Sequence, residues 1–141
     1  MADAKQSGSI RCVITTPETT SLDTHARRRA VARRSGRGVA RGHTPFIGRL
    51  GAGEVRVIGE QGAGGEAVRR VFVEGGFVEV SHGVVSVITQ RAVPAETLDQ
   101  AAAKADLERI AASRATGDEA IATKLRELET ARKLVRTASR R

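Results

Sequence analysis

Short apolar runs broken by glycine fill the first two thirds of the chain. Residues 68–89 contain three runs dense in Val, Ile and Phe, separated by Gly75-Gly76 and by Ser81-His82-Gly83. The runs are too short for helices, and these side chains suit a pleated, half-buried surface. Glycine supplies the backbone angles that tight turns need. The pattern therefore predicts an antiparallel β-meander with turns at the two breaks.

The segments upstream of this meander show a similar pattern. Ser9–Thr16 alternates apolar and polar side chains and predicts a strand, and Leu22 is a candidate start for a second one. His43–Leu50 is a turn that leads into a strand, and Glu54–Ile58 places two valines on one face. Residues 59–66 are rich in glycine and are expected to form a hairpin loop. Six or seven short strands by about residue 90 favour a sandwich or a barrel.

After Pro94 the pattern becomes typical of helices. Gly117 divides this part in two, and Asp118 opens the second half. Apolar positions at helical spacing are Leu98, Ala101, Ala102, Ala105 and Ile110 in the first half and Ile121, Leu125, Leu128 and Val135 in the second. The chain from 94 to 141 is thus predicted to be an αα-hairpin. Because an alanine-rich seam buries little apolar area, the hairpin must dock on the β domain or on a partner.

Composition narrows the chemistry that the chain can carry. Aromatic residues make up only 2%, so a core must be built from Val, Ile, Leu and Ala. Cys12 is the only cysteine, which excludes an intrachain disulfide and fits a reducing compartment. We interpret it as a small buried apolar side chain rather than a nucleophile. No run of about 18 apolar residues and no hydrophobic leader are visible, so we expect neither a membrane span nor a secretory signal.

The net charge of +8 comes from one segment. Residues 24–49 contain eight arginines and no acid, whereas the rest of the chain contains 16 basic and 16 acidic side chains. Between residues 25 and 41 the sequence has no clear period of 2 or 3.6, and little apolar burial would offset the entropy of ordering it. We therefore interpret 25–41 as an anomalous, poorly specified insert in an otherwise neutral protein.

No catalytic or metal-binding constellation stands out. His25, His43 and His82 lack the spacing of metal ligands, and no Lys-Ser/Thr follows Gly62–Gly65 as a phosphate-binding loop would require. We expect a protein that is not an enzyme and that holds no metal or cofactor. One alternative is a small basic β-domain protein that binds nucleic acid through residues 27–41, although no aromatic side chains are interleaved there for base stacking.

A set of motifs in fixed order carries a family resemblance. They are Arg11-Cys12-Val13-Ile14, Thr16-Pro17-Glu18, Leu22-Asp23, Gly42-His43-Thr44-Pro45, Gly53 to Val57, Val73-Glu74-Gly75-Gly76-Phe77-Val78-Glu79-Val80, Val84 to Ile88 and Thr97-Leu98-Asp99. Together they cover about residues 9–24 and 42–138. In order and spacing the chain resembles the epsilon subunit of bacterial F-type ATP synthases, the equivalent of mitochondrial delta.

The resemblance implies a fold and a role. The fold would be β plus α: a disordered tail at 1–8, an antiparallel β-sandwich of about ten strands at 9–93, and an αα-hairpin at 94–141. The role would be that of a non-catalytic rotor subunit, peripheral to the cytoplasmic face of the bacterial inner membrane. Its partners would be the gamma subunit and the c-ring, so that proton-driven rotation is coupled to ATP synthesis. The C-terminal helices would contact the catalytic α/β head and inhibit ATP hydrolysis.

The resemblance also assigns candidate residues. Gly42, His43, Thr44 and Pro45 are candidates for the rotor interface, although His43 could equally be a turn histidine with a local hydrogen bond. Leu98, Ile110, Ile121, Leu125 and Leu128 are candidates for the regulatory helices.

Two departures from the family pattern matter. Residues 25–41 lack the apolar strands and the acidic turn that the family has there, which suggests a pair of compensating frame shifts in the gene. As written, this segment would compromise two or three strands and part of the c-ring contact, and a nonfunctional product is a third possibility. Some members bind ATP at an Ile/Leu-Asp-x-x-Arg-Ala motif, but Ala102 stands in place of the arginine here. Without that phosphate-binding cation, we expect no bound ATP.

Overall fold

The computed structural model describes residues 10–26, 29–33, 38–40, 45–62 and 65–140, with side chains for all of these except 29–33, 38–40, 60–62 and 65–67. The strands are β1 Ile10–Thr15, β2 Thr20–Ala26, β3 Arg29–Arg33, β4 Gly38–Ala40, β5 Phe46–Gly62, β6 Gly65–Ser81, β7 Val84–Ile88 and β8 Ala92–Pro94. A 3-10 turn at Ala95–Thr97 leads to the helices α1 Gln100–Ala112 and α2 Asp118–Ser139.

Two long strands, β5 and β6, run through both layers of a β-sandwich. The strand order is β2-β1-β7-β6-β5-β3-β4, and β8 also pairs with β6. The C-terminal half of β6 pairs with β7, whereas its N-terminal half, Val71–Val73, pairs with β8. The first layer is therefore β2-β1-β7-β6-β5 and the second is β8-β6-β5-β3-β4. The resemblance implied about ten strands; the structure describes eight, and because β5 and β6 belong to both layers, each layer contains five.

The core lies between the two layers. Its buried side chains come from both layers: Ile10, Cys12, Ile14, Leu22, Ala26, Val55, Val57, Val71, Val73, Val78, Val80, Val85 and Val87. The alternation seen in the sequence is confirmed, since Val55 and Val57 are both 2% exposed. Cys12 is fully buried, and burial, with a smaller effect of Asp23, raises the pKa of its thiol to about 12. A thiol that holds its proton at neutral pH is a poor nucleophile.

The prediction of a hairpin turn at Gly75-Gly76 is wrong. β6 continues through both glycines, which have φ values of +76° and +117° and mark the point where the strand passes from one layer to the other. A Cβ on Gly76 would lie 1.9 Å from the carbonyl oxygen of Ile88. Glu74 and Glu79 accordingly lie within one strand rather than on either side of a turn. The turn at His82 and Gly83, with φ values of +50° and +74°, is confirmed.

Other strand boundaries also differ from the sequence patterns. The predicted strand that ends at Leu50 and the one at Glu54–Ile58 belong to one strand, β5, which begins at Phe46. β5 and β6 remain paired as far as Gly62 and Gly65, so the expected loop at 59–66 is mostly strand. β1 pairs with β7 in parallel, an arrangement that a simple meander does not contain. Local patterns missed these features because they depend on pairing between distant segments.

The arginine-rich segment contributes backbone to the second layer. No strand was expected between residues 25 and 41, yet Arg29–Arg33 pairs antiparallel with Glu54–Ile58 of β5, and β4 pairs with β3. Hydrogen bonding of the main chain to β5 supplies an order that side-chain periodicity does not signal. The expected tail at residues 1–8 lies outside the described residues.

The helical hairpin is confirmed, with a correction to where its first helix begins. α1 begins at Gln100 rather than just after Pro94, and the Asp99 carboxylate caps it by accepting hydrogen bonds from the main-chain N–H groups of Ala101 and Ala102 at 2.9 and 3.4 Å. Gly117, with φ of +93°, separates the helices as predicted. None of the helices within residues 10–140 that the structure describes is long and apolar enough to cross a membrane.

The predicted apolar seam of the hairpin is largely wrong. Ala101, Ala102 and Ala105 are exposed, and Ala103 is the buried residue of α1. On α2, Ile121 and Leu125 are 45% and 61% exposed. The buried residues of α2 are Leu128, Ala131, Thr137 and Ala138. The buried face therefore belongs to the C-terminal half of α2.

Candidate functional site

The C-terminal half of α2 covers the outer face of the second layer. Alternation along β6 places Phe72 on the side opposite Val71 and Val73, and yet Phe72 is fully buried. It packs with Leu98 and Ala138, and the partly buried neighbours are Ala52, Val93 and Leu134. This second apolar cluster is separate from the core of the sandwich. It is the apolar contact by which the hairpin is docked.

A charged cluster lies beside this apolar contact. Glu54, on the outer face of β5, is only 5% exposed. Its carboxylate accepts a hydrogen bond from Arg70 Nη2 at 2.6 Å, and Arg56 Nε lies 3.2 Å from its other oxygen. Arg70 also donates to the main-chain carbonyls of Thr137, at 3.2 Å, and Arg140. One guanidinium thus joins β5 and β6 to the C-terminal end of α2.

The ionisation of Glu54 follows from these neighbours. Burial raises the pKa of its carboxyl. The hydrogen bond from Arg70 and the charges of Arg70 and Arg56 together lower that pKa by more, so the net pKa is below the ordinary value of 4.5. The carboxylate is therefore charged at neutral pH. The same hydrogen bond raises the pKa of Arg70.

The other helix is attached indirectly. α1 contacts α2, whereas α2 contacts β5, β6 and the 3-10 turn. Lys124 of α2 donates from Nζ to the carbonyls of Ala111 and Ser113, where α1 ends. A cation there satisfies carbonyls that have no partner within the helix. The position of the whole hairpin is therefore set by the end of α2.

The outer face of the first layer is open and carries an apolar row. Ile47, Phe77 and Ile88 are 75%, 51% and 55% exposed, and they lie on the neighbouring strands β5, β6 and β7. Phe77 is directly paired with Ile88 and with Arg49. Further along the same face, Arg11 and Asp23 form an exposed ion pair at 2.7 Å. Three large apolar side chains exposed on adjacent strands are typical of a protein-binding surface.

The structure separates the residues that the sequence singled out. Gly42, His43 and Thr44 lie outside the described residues, and Pro45 is exposed just before β5. Of the helix candidates, Leu98 and Leu128 are buried, Ile110 is partly buried, and Ile121 and Leu125 are exposed. Ala102 is exposed in the first turn of α1. In the part of the chain that is described, His, Cys, Asp and Glu form no group able to hold a metal ion.

Sequence reasoning missed Glu54 and Arg70. Glu54 and Arg70 stand beside the inward-facing Val55 and Val71. In a half-buried strand, such alternation ordinarily indicates that the charged side chains face solvent. Only the docking of α2 turns this polar face into an interior. A weak signal was present, because the acidic Glu54 and the basic Arg70 occupy outward positions on β5 and β6, which are paired neighbours.

Comparison with known proteins identifies the sandwich. Residues 9–95 match the family model described as ATP synthase, Delta/Epsilon chain, beta-sandwich domain. The ATP synthase epsilon chain of Rhodopirellula baltica is 47% identical over 92 residues, which cover 64% of this chain and 68% of that relative. The epsilon chain of Bordetella petrii is 40% identical over 72 residues, 51% of this chain and 48% of the relative. This chain therefore aligns with only about half the length of some relatives.

Solved structures extend the likeness beyond the sandwich. A chain of the Euglena gracilis mitochondrial ATP synthase, in a structure of its OSCP/F1/c-ring, superposes with a TM-score of 0.75 and 26% identity. The match covers 94% of this chain and 82% of that one. A chain from the central stalk and c-ring of the Tetrahymena thermophila enzyme has a TM-score of 0.62 at 12% identity, covering 92% and 96%, which indicates a shared fold.

Proposed function

Because this chain belongs to the delta/epsilon family of ATP synthase chains, we propose that it is a non-catalytic subunit of the central stalk, coupling c-ring rotation to ATP synthesis through the gamma subunit. The observation that carries the proposal is the likeness, along 94% of the chain, to a subunit of the Euglena F1/c-ring assembly. That likeness includes the helices as well as the sandwich. The proposed division is a coupling domain at 9–93 and a regulatory hairpin at 94–141.

The proposed docking surface for gamma is the apolar row Ile47, Phe77 and Ile88. Burying three exposed side chains of this size would contribute several kcal/mol, at about 1.5–3 kcal/mol for each one fully buried. The row lies on the face opposite to the one that α2 covers, so gamma could bind without displacing the hairpin. The proposed c-ring contact is the turn Gly42-His43-Thr44-Pro45 at the start of β5.

The proposal also places the protein and its helices. It would be peripheral to the cytoplasmic face of the bacterial inner membrane, held there by the c-ring. The hairpin, docked by a small apolar cluster, would be able to leave the sandwich, contact the α/β head and inhibit ATP hydrolysis. The exposed Ile121 and Leu125 are available for that contact. ATP is not expected to bind at the start of α1, where Ala102 supplies no cation.

A binding experiment tests the docking surface. We expect Ile47→Asp to weaken binding of the purified chain to gamma by about tenfold or more, because a charge would be buried in an apolar contact. Leu125→Asp is the matched control, because Leu125 is also an exposed apolar side chain but lies on α2, and it should bind gamma like the wild type. The affinity is measured by calorimetry or surface plasmon resonance. Equal binding by both variants would exclude this face as the gamma site.

The purified chain also distinguishes a stalk subunit from the alternative, a nucleic-acid-binding protein. A nucleic-acid-binding protein using residues 27–41 would bind DNA or RNA with an affinity that falls steeply with salt. A subunit of the stalk would instead co-purify with gamma and the c-ring. Recovery of nucleic acid without gamma in a pull-down would overturn the proposal.

A further inference from the structure

We propose that Arg70 is a latch that holds the docked hairpin, and that Glu54 positions it. In this proposal, breaking the contacts of Arg70 frees α2 and α1 from the sandwich while the sandwich stays folded. All the contacts of the latch lie within this chain, so it can be tested without any partner. Its regulatory consequence rests on the proposed function.

Few other contacts hold the hairpin to the sandwich. The main core contains side chains from strands only, so the sandwich does not depend on the helices for its interior. Apolar contact between the helices and the outer face consists of Leu134 and Ala138 of α2, with Leu98 before α1, packed around Phe72. The hairpin is thus attached at the C-terminal end of α2, and additional contacts at that end have a large influence on whether it stays docked.

The guanidinium of Arg70 connects the sandwich to the end of α2. Arg70 donates at once to Glu54, to the carbonyl of Thr137 and to the carbonyl of Arg140. The last carbonyls of a helix have no partner within it, and the helix dipole favours a cation there. A planar fork of donors can serve a carboxylate and two carbonyls together, which the single ammonium group of lysine does less well. The two carbonyl contacts exist only when α2 is docked, whereas the contact with Glu54 lies within the sandwich.

Glu54 holds the guanidinium of Arg70 in place. A carboxylate that is 5% exposed requires a cation, and Arg70 supplies it from the paired strand. Glu54 in turn fixes the guanidinium beside the end of the helix. Glu54 and Arg70 both lie on the sandwich, so their ion pair can remain when α2 leaves, and Arg56 lies 3.2 Å from the other carboxylate oxygen. The cluster can therefore open without leaving an unpaired charge.

Amide hydrogen exchange of the full chain, followed by mass spectrometry, tests the latch. In Arg70→Met, which keeps an apolar stem but loses every donor, we expect exchange in 118–139 to accelerate by roughly tenfold or more. Exchange in β1, β6 and β7 should stay at the wild-type rate. Arg91→Met is the matched control, because Arg91 pairs at 3.1 Å with Glu74 on β6 rather than with α2. It should leave exchange in α2 unchanged.

Further variants separate the roles of Glu54 and Arg70. Glu54→Gln should accelerate exchange in α2 less than Arg70→Met does, and adding it to Arg70→Met should have little further effect, because Glu54 acts through Arg70. Should Arg70→Met fail to fold, Arg70→Lys replaces it, and exchange in α2 should again accelerate. Wild-type exchange in α2 of either folded Arg70 variant would overturn the latch.

An assembled complex separates the latch from the proposed function. If released helices inhibit the α/β head, a complex containing Arg70→Met should hydrolyse ATP more slowly than one containing Arg91→Met. Faster exchange in α2 with unchanged hydrolysis would uphold the latch and reject inhibition by the hairpin. Unchanged exchange would reject the latch whatever the hydrolysis rate.

Discussion

Single residues in this chain have roles that depend on backbone geometry more than on side-chain chemistry. Gly76 is the clearest case. It lies in a strand, where glycine is ordinarily unfavourable, but its φ of +117° and the close approach of the Ile88 carbonyl leave no room for a Cβ. The bend that carries β6 from one layer to the other depends on it.

Replacement of Gly76 tests this role. Gly76→Ala should lower the free energy of unfolding by about 3 kcal/mol, since it adds a clash with main-chain atoms to the 1–3 kcal/mol of a strained conformation. Gly83→Ala is the matched control, because its φ of +74° is also positive but a Cβ there would meet nothing within 4 Å. It should lose only about 1 kcal/mol. Urea unfolding followed by circular dichroism measures both, and equal losses would contradict the explanation.

Among the elements, α2 is distinguished by what it covers. The strand alternation that predicts the core also predicts polar outer faces, and the first layer obeys this rule apart from its apolar row. The second layer does not, because α2 buries Phe72 and Glu54 on its outer face. The docked position of the helix therefore combines an apolar contact with a charged one, and the charged one should respond to pH.

Acid should weaken the docking of α2. The folded pKa of Glu54 is lowered, so the carboxylate stabilises the folded chain fully above its unfolded pKa near 4.5, and this contribution is lost as pH falls through the lower folded value. At pH 7 we expect the wild type to be more stable than Glu54→Gln by about 1.5–3 kcal/mol, the range for hydrogen bonds to charged groups.

Urea unfolding at stepped pH checks this dependence. The difference between the wild type and Glu54→Gln should begin to shrink as pH falls to about 4.5 and should be lost once pH is below the lowered folded pKa of Glu54. Asp23, whose pKa is lowered by its hydrogen bond from Arg11, titrates in both proteins and cancels in the difference. A difference that stays constant with pH would show that Glu54 is not held as a charged partner of Arg70.

The whole molecule consists of a self-contained sandwich with a hairpin attached to one outer face. Its two apolar clusters share no residue, and the larger one contains no helical side chain. Such an arrangement allows the hairpin to move without opening the core. It also makes the boundary near Pro94 testable.

Truncation tests the independence of the sandwich. A chain that ends at Leu98 should retain its β-type circular dichroism and unfold cooperatively in urea, with a stability lower by about 2 kcal/mol because Phe72 becomes exposed. A chain that ends at Thr116 serves as the comparison: it keeps α1 but removes α2, which α1 contacts. We expect its helical signal to be weak, since isolated helices of this length are marginal. Loss of cooperative unfolding in the shorter chain would mean that the hairpin is integral to the fold.

The sequence by itself determined the local features of this protein. Alternation identified β1 and the inward faces of β5 to β7, and Gly117 identified the division between the helices, because periodicity and turn chemistry act over a few residues. The order of motifs was enough to suggest the family. Tertiary structure decided the rest: that Gly75-Gly76 bends a strand instead of ending it, that β1 lies parallel to β7, and that Glu54, Arg70 and Phe72 lie beneath a helix. Those features depend on which distant surfaces meet, and burial of an outward-facing charge can be recognised only when the element that covers it is in place.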